Sequence, residues 1–331
     1  MTGLPVIDVS ALLDPEADAA SCAAVGKRID AACRDTGFLL VTGHGIERDL
    51  RDRLEHLCRQ FFALPEEAKA EIAMARGGVA WRGWFPVGGE LTSGEPDRKE
   101  GVYFGTELPP DDPRVVAGTP LHGPNLFPAE PAELGPVVLR WIDEVTALGQ
   151  AVLSGVALGL GLERDWFARH LTADPTVLFR VFHYPPGDTH SWGVGEHTDY
   201  GLITLLAQDH HGGLQVRSGE AWIDVPADPY VFVVNIGDML ERMTRGEYRS
   251  NPHRVRNLSG ADRLSFPLFV DPSWDATVTP LPDKAFRDLP DDDGSRRWDG
   301  QSVHAWDGVY GEYLTAKVAK VFPTLAAALR S

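Results

Sequence analysis

Three side chains in this sequence have the types and spacing of a metal site. His197 and Asp199 sit two apart in Gly195-Glu196-His197-Thr198-Asp199-Tyr200-Gly201, and His253 follows much later in Asn251-Pro252-His253-Arg254-Val255. A His-x-Asp pair with one distant His is the ligand set of a 2-His-1-carboxylate facial triad, which binds non-haem Fe(II) and leaves coordination positions open. Open positions let dioxygen and a second small molecule meet on one ion, so oxygenase or oxidase chemistry is expected. A lone His or Asp is more often a satisfied core or turn residue than a ligand. The joint pattern reverses that reading.

Ten residues beyond His253 comes Arg263-Leu264-Ser265-Phe266. On a strand Arg263 and Ser265 share a face and offer a guanidinium fork beside a hydroxyl. Arg binds carboxylates in a bidentate manner, which suits the far end of a dicarboxylate. Tyr184, in Phe182-His183-Tyr184-Pro185-Pro186, can add a phenolic donor from a neighbouring strand. The alternative is an ordinary surface ion pair for Arg263, but its place at the head of an apolar run weighs against that, because a buried Arg needs a partner.

Short runs rich in β-formers must position these residues. From about Thr176 onward they come at close intervals: Val177–Phe182, Leu202–Leu206, Gly213–Val216, Ala221–Val225, Tyr230–Ile236 and Leu264–Val270. Many short strands with frequent turn signals predict a sandwich or barrel. A jelly roll of the cupin sort, a double-stranded β-helix, fits best, since ligands can converge in its open mouth. On an extended strand His197 and Asp199 point to one face, with Thr198 opposite. Upstream, Pro5–Val9 and Gly37–Gly45 read as strands, residues 15–35 and Glu47–Phe62 as amphipathic helices, and Pro136–Leu162 as a long scaffold helix. Ala75–Asp112 and Asp283–Asp299 read as loops, the second with the acidic run Asp291-Asp292-Asp293.

The expected fold is therefore a mostly β core with flanking α-helices, forming one compact structural unit. Within it we expect residues 1–120 to pack on the core as a helical and strand region, with scaffold helices in 121–175. The jelly-roll core is expected in 176–280, and a C-terminal extension and helix in 281–331.

The chain has 331 residues, with 31 Lys and Arg against 48 Asp and Glu, a formal net charge of −17. Such acidity argues against nucleic-acid binding, which leaves a basic patch or stripe. No apolar stretch approaches the length needed to cross a bilayer. The three scattered cysteines Cys22, Cys33 and Cys58, and a first segment without basic or apolar signal character, point to the cytoplasm. A monomer working on a small-molecule substrate is expected.

Taken in order along the chain, these motifs resemble the isopenicillin N synthase-like family of Fe(II)/2-oxoglutarate-dependent dioxygenases. The resemblance rests on His197-x-Asp199, His253, Arg263-x-Ser265 and Tyr184-Pro185-Pro186. It also rests on Pro5-Val6-Ile7-Asp8, Gly37–Val41, His44-Gly45-Ile46, Phe61–Pro65, Arg82-Gly83-Trp84, Asp97–Glu100 and Tyr310–Leu314. It spans nearly the whole chain. It implies that His197, Asp199 and His253 bind iron, while Arg263 and Ser265, assisted by Tyr184, hold the C5 carboxylate of 2-oxoglutarate. The family often has Asn two residues before that Tyr; here Phe182 stands in its place.

The resemblance further implies that 2-oxoglutarate chelates the iron, that O2 enters beside it, and that succinate and CO2 are released as substrate is hydroxylated, desaturated or cyclised. No side chain need serve as a separate catalytic base. A 2-oxoglutarate-independent oxidative cyclase uses the same anchors and remains an alternative. Outside the class stand a zinc hydrolase and a non-catalytic jelly-roll binding protein.

The substrate side is expected in the Ala80–Val87 loop with Trp81, Arg82, Trp84 and Phe85, in Trp192–Val194, and in Phe269 and Asp271. Such aromatics favour a medium-sized organic substrate held by apolar contact, either amino-acid-derived or a natural product. His210-His211 reads as a solvent-exposed turn, and His44 as a turn histidine.

Overall fold

The computed structural model of this protein describes residues 3–187, 190–281, 297, 299–306 and 308–323. Among them, twelve strands form two sheets: β1 (Val6–Asp8), β2 (Phe38–Thr42), β3 (Gly83–Phe85), β4 (Glu100–Gly105), β5 (Pro175–Tyr184), β6 (Val194–His197), β7 (Ile203–Gln208), β8 (Leu214–Ser218), β9 (Ala221–Asp224), β10 (Phe232–Ile236), β11 (His253–Val255) and β12 (Arg263–Ser273). The larger sheet runs β1-β2-β10-β7-β12-β5-β4-β3 and the smaller β6-β11-β8-β9. Apart from the parallel β1–β2 pair, neighbouring strands are antiparallel. Residues of both sheets line one central cavity, as in the expected jelly roll.

Helices cover the outer face of the larger sheet. The helix Leu134–Gly159 lies close enough that a Cβ on Gly149 would stand 2.6 Å from Val270 Cγ2 and 3.2 Å from Leu205 Cδ1. Trp141 of this helix stacks on Phe232 at 5.8 Å between ring centroids. The helix Ala19–Asp35 begins where the Asp18 carboxylate accepts the Ser21 backbone N–H, satisfying one free donor of the first turn. It crosses the long helix on small residues: a Cβ on Gly26 would lie 2.8 Å from Leu158 Cβ and 2.9 Å from the Gly155 carbonyl oxygen. The helix Arg48–Phe62 buries Leu50, Leu54, Leu57, Cys58 and Phe61 along one face.

The structure departs from the sequence reading in three places. The segment Ala75–Asp112, expected as a loop, contains β3 and β4, which extend the larger sheet beyond β5. All six residues of β4 are buried, so the polar–apolar alternation that marks a strand is missing. Its glycines mark close approaches rather than turns: a Cβ on Gly101 would stand 2.8 Å from the Phe85 ring, and one on Gly105 would collide with the Arg82 guanidinium. Second, β6 ends at His197, so Asp199 lies in the following loop rather than on the strand. Third, the N-terminal strands do not merely pack on the core; they are hydrogen-bonded into its larger sheet on both sides.

The acidic run Asp291-Asp292-Asp293 lies outside the described residues. Cys22, Cys33 and Cys58 are free and buried. No described helix is long and apolar enough to cross a membrane. The helix crossing at Gly26 gives a direct test: Gly26→Val should destabilise the protein by about 1–3 kcal/mol through overpacking against Leu158 and Gly155, read as a lowered denaturant midpoint with an unchanged slope.

Candidate metal centre

β6 and β11 pair with His253 directly opposite His197, which brings the two imidazoles to 4.2 Å between ring centroids. The loop after β6 then returns Asp199 to the same point. Asp199 Oδ1 lies 3.7 Å from Nε2 of His197 and 3.7 Å from Nε2 of His253. One ligand atom from each residue lies within 4.8 Å of the others, a separation that one ion can bridge.

The surrounding bonds orient these atoms. His197 Nδ1 lies 2.8 Å from the Gly195 carbonyl, which places the proton on Nδ1 and turns the Nε2 lone pair inward. Asp199 Oδ2 accepts from Thr204 Oγ1 at 2.5 Å and from Asn235 Nδ2 at 2.7 Å, leaving Oδ1 facing the imidazoles. Burial opposes the Asp199 charge, but His253, His197 and these two hydrogen bonds hold its carboxyl below the usual range. Burial depresses both imidazoles, His253 to about 4 with help from neighbouring His197. The three ligands are thus held as neutral imidazoles and a carboxylate, the forms that bind a metal at neutral pH. Donor set and spacing fit a divalent iron.

A second cluster stands in the same cavity. Arg263 is fully buried; its Nε donates to the carbonyls of Gly212 at 3.0 Å and His211 at 3.2 Å, and Nη2 reaches Gln208 Oε1 at 3.4 Å. Its Nη1 is buried with no hydrogen-bond partner. The guanidinium lies 4.5 Å over the Tyr184 ring, and the Tyr184 hydroxyl stands 3.1 Å from Ser265 Oγ. Register explains the grouping, because Arg263 is paired with Tyr184 across β12 and β5. A buried fork with an unmet N–H, beside two hydroxyls, suits a ligand carboxylate.

The cavity joining the clusters spans about 900 Å³ between its walls, part of it open to solvent. Of the residues expected on its substrate side, Val194, Phe269 and Asp271 line it and Trp81, Arg82, Trp84, Phe85 and Trp192 do not. Arg82 donates to the Leu121 carbonyl at 2.9 Å outside this cavity, where burial lowers its pKa to about 10. Trp84 is fixed by Glu100 at 2.8 Å, and Phe85 packs edge-on against Tyr103 and Phe322. Trp192 is stacked by Arg254 at 4.3 Å and Arg256 at 4.6 Å. Trp84, Phe85 and Trp192 are thus occupied by structural partners, whereas Arg82, outside this cavity, keeps Nε and Nη1 buried without a hydrogen bond.

Sequence reading missed the polar residues that take their place: Glu90, Thr92, Lys99 and Arg180 all line the cavity. Lys99 is buried between Glu90 at 2.9 Å and Asp97, and sits 4.7 Å over the ring of Phe182. It also missed Thr204 and Asn235. A signal existed for Asn235, a lone amide in the apolar run Phe232–Ile236. His44 is hydrogen-bonded to the Tyr230 carbonyl, and His211, expected in a solvent-exposed turn, is half-buried against Asp209; the role of the His211 carbonyl carried no sequence signal.

Both halves of the chain match known protein families. Residues 4–130 match the family described as non-haem dioxygenase in morphine synthesis N-terminal, and residues 175–272 match the 2OG-Fe(II) oxygenase superfamily. The chain is 44% identical to a probable iron/ascorbate oxidoreductase of Dictyostelium discoideum, covering 97% of this chain and 95% of that protein. It is 36% identical to a homoarginine-6-hydroxylase of Arabidopsis thaliana, covering 96% and 97%. A full-length Neurospora crassa protein crystallised in complex with alpha-KG and thymine superposes with a TM-score of 0.78 at 28% identity, over 96% of each chain.

Asp271 offers a test of the electrostatics. Burial, with the Asp199 charge adding to it, pushes its carboxyl up to about 7 despite a hydrogen bond from Tyr310. A carboxyl raised in the folded state favours folding fully below its unfolded value near 3.8, and that contribution is lost as pH rises through about 7. Asp271→Asn should therefore flatten the fall in metal-free stability between those pH values and be more stable at pH 8 by on the order of 2 kcal/mol. Chemical denaturation at pH 5 and pH 8 reads it; parallel curves for both proteins would refute it.

Proposed function

Because this chain belongs to the 2OG-Fe(II) oxygenase superfamily, as a non-haem iron enzyme using Fe(II), 2-oxoglutarate and O2, we propose that His197, Asp199 and His253 hold its iron and that Arg263, Ser265 and Tyr184 hold the far carboxylate of 2-oxoglutarate. The unmet Nη1 of fully buried Arg263 is the observation that carries this reading, since an uncompensated guanidinium beside two hydroxyls calls for an anion from outside the fold. Family membership leaves the zinc-hydrolase and binding-protein alternatives without support.

When bound, iron and 2-oxoglutarate supply an O2-derived oxidant that attacks a substrate C–H bond, with release of succinate and CO2. The chain's own residues supply position. Thr204 and Asn235 keep one Asp199 oxygen turned toward the metal position. The His211 and Gly212 carbonyls fix the Arg263 fork, and the Tyr184 ring beneath it limits its tilt. Phe182 and Leu206 line the same cavity with apolar surface, which helps exclude water from it.

The substrate in this reading is a small amino-acid-derived or natural-product molecule; the Arabidopsis homoarginine-6-hydroxylase, similar over nearly the whole chain, supports it. We take the chain as a cytoplasmic monomer acting without nucleic acid or membrane, consistent with its net charge of −17. The four segments 1–120, 121–175, 176–280 and 281–331 are read as parts of one unit.

Anaerobic protein with Fe(II) should give a weak visible charge-transfer band on adding 2-oxoglutarate, and succinate on admitting air; neither appearing would sink the co-substrate assignment. Asp199→Ala should lose Fe(II) binding in equilibrium dialysis and all metal-dependent turnover. Arg263→Gln should raise the 2-oxoglutarate concentration for half-maximal band formation by about 10- to 100-fold, the worth of a charge-assisted hydrogen bond, with Fe(II) binding unchanged.

A further inference from the structure

We propose that Arg180 anchors the substrate in this cavity by binding its carboxylate, and that the substrate class is accordingly a small organic acid. The proposal rests on the oxygenase reading of the same cavity and deepens it. Arg180 lies on β5, lines the cavity wall and has 12% of its side chain exposed. Its guanidinium is sandwiched by the rings of Tyr103 at 4.3 Å and Phe269 at 4.7 Å. Tyr103 stands directly across the β4–β5 ladder from it, so the stack is built into the register.

What the fold does not give Arg180 is a hydrogen bond. Among the described residues the guanidinium donates none, and its Nε is buried without a partner. The nearest carboxylate oxygen, Glu90 Oε1, is 3.8 Å away, beyond hydrogen-bond distance. Glu90 is already engaged, with Lys99 on Oε2 and the Tyr103 hydroxyl on Oε1. Rings on both sides leave only the edge of the guanidinium plane free to meet a ligand, and that edge matches a carboxylate in a bidentate fork. Arg263 is the second arginine in the cavity and belongs to a separate cluster with Tyr184 and Ser265. One cavity thus carries two arginine anchors, one for each of two acids.

Charge favours a monoanion. Glu90 lines the same cavity beside the guanidinium and disfavours the second charge of a phosphate dianion, whereas a single carboxylate balances one guanidinium. Phe269, Leu178, Leu314 and Val321 offer apolar surface to the carbon skeleton.

Hexanoate, phenylacetate and L-norleucine, each beside its primary carboxamide, are titrated into anaerobic protein holding Fe(II) and saturating 2-oxoglutarate. Binding is read as a thermal shift and as a change in the visible band. At least one acid should bind about tenfold or more tighter than its amide, and Arg180→Gln should remove that preference while 2-oxoglutarate affinity moves by less than about threefold. Arg180→Met, without ligand, should melt no lower than wild type, since the substitution removes a buried charge whose ion pair with Glu90 carries no hydrogen bond; a purely structural arginine would lower the melting temperature instead. Acids binding no tighter than amides, acid binding untouched by Arg180→Gln, or a collapse of 2-oxoglutarate affinity in that variant would each overturn the proposal. Failure of wild type to form the visible band would count against the co-substrate site and not against Arg180, whose acid binding the thermal shift still reads.

Discussion

The Asp199 carboxylate is a charge held inside the protein, and much of the core is arranged around keeping it there. An ionised carboxylate loses its hydration on burial and is tolerated only when hydrogen bonds and opposite charge replace the lost water. Thr204 on β7 and Asn235 on β10 supply those bonds to one oxygen. The other oxygen is left to the imidazoles of His197 and His253, one from each of two paired strands of the smaller sheet. Both sheets are therefore tied to a single side chain. The loop that carries it is fastened as well, for the Asp238 backbone N–H donates to the Asp199 carbonyl at 2.8 Å.

The same cavity contains several groups that the fold leaves short of partners, among them Arg263 Nη1 and Arg180 Nε. Left alone, each costs stability, because a buried donor without an acceptor forfeits its solvation. Proteins keep such groups where a ligand completes them, at the expense of the empty state. The surrounding structure makes them rigid instead of comfortable: backbone carbonyls and aromatic rings hold the guanidinium planes without neutralising them. Rigid, unsatisfied donors are what a binding site needs to discriminate by shape as well as charge.

Much of this was legible in residue types and spacing. The triad, the Arg263/Ser265 pair and Tyr184 could be found because each is a rare polar residue at a regular interval within β-rich sequence. The jelly roll followed from the density of short strands after Thr176. The substrate side was less readable. Aromatic residues near Arg82 resembled a pocket wall, yet Trp84 and Trp192 are occupied by Glu100 and by Arg254 and Arg256. Distant strands make those pairings, and no local pattern records them. Glu90 and Lys99 sat in a Gly- and Pro-rich stretch whose signature was that of a loop, because β4 is buried on both faces and its glycines admit neighbouring side chains. Asp199 was placed on a strand that in fact ends two residues earlier, although the local turn still delivers its carboxylate to the imidazoles.

The flanks of the larger sheet come from the beginning of the chain: β1 and β2 close one side against β10, while β3 and β4 close the other against β5. Nearly two hundred residues separate β2 from the strand it needs, and about seventy separate β4 from β5. During synthesis β1 can pair with β2 and β3 with β4, but β2 and β4 each emerge with one backbone edge whose partner, β10 or β5, is not yet made. Contacts of such long sequence separation form slowly, and exposed strand edges invite pairing with other chains. The architecture that gives the mature enzyme a closed and well-braced core therefore asks its nascent chain to wait, and it places the period of greatest aggregation risk before the metal-binding half has been made.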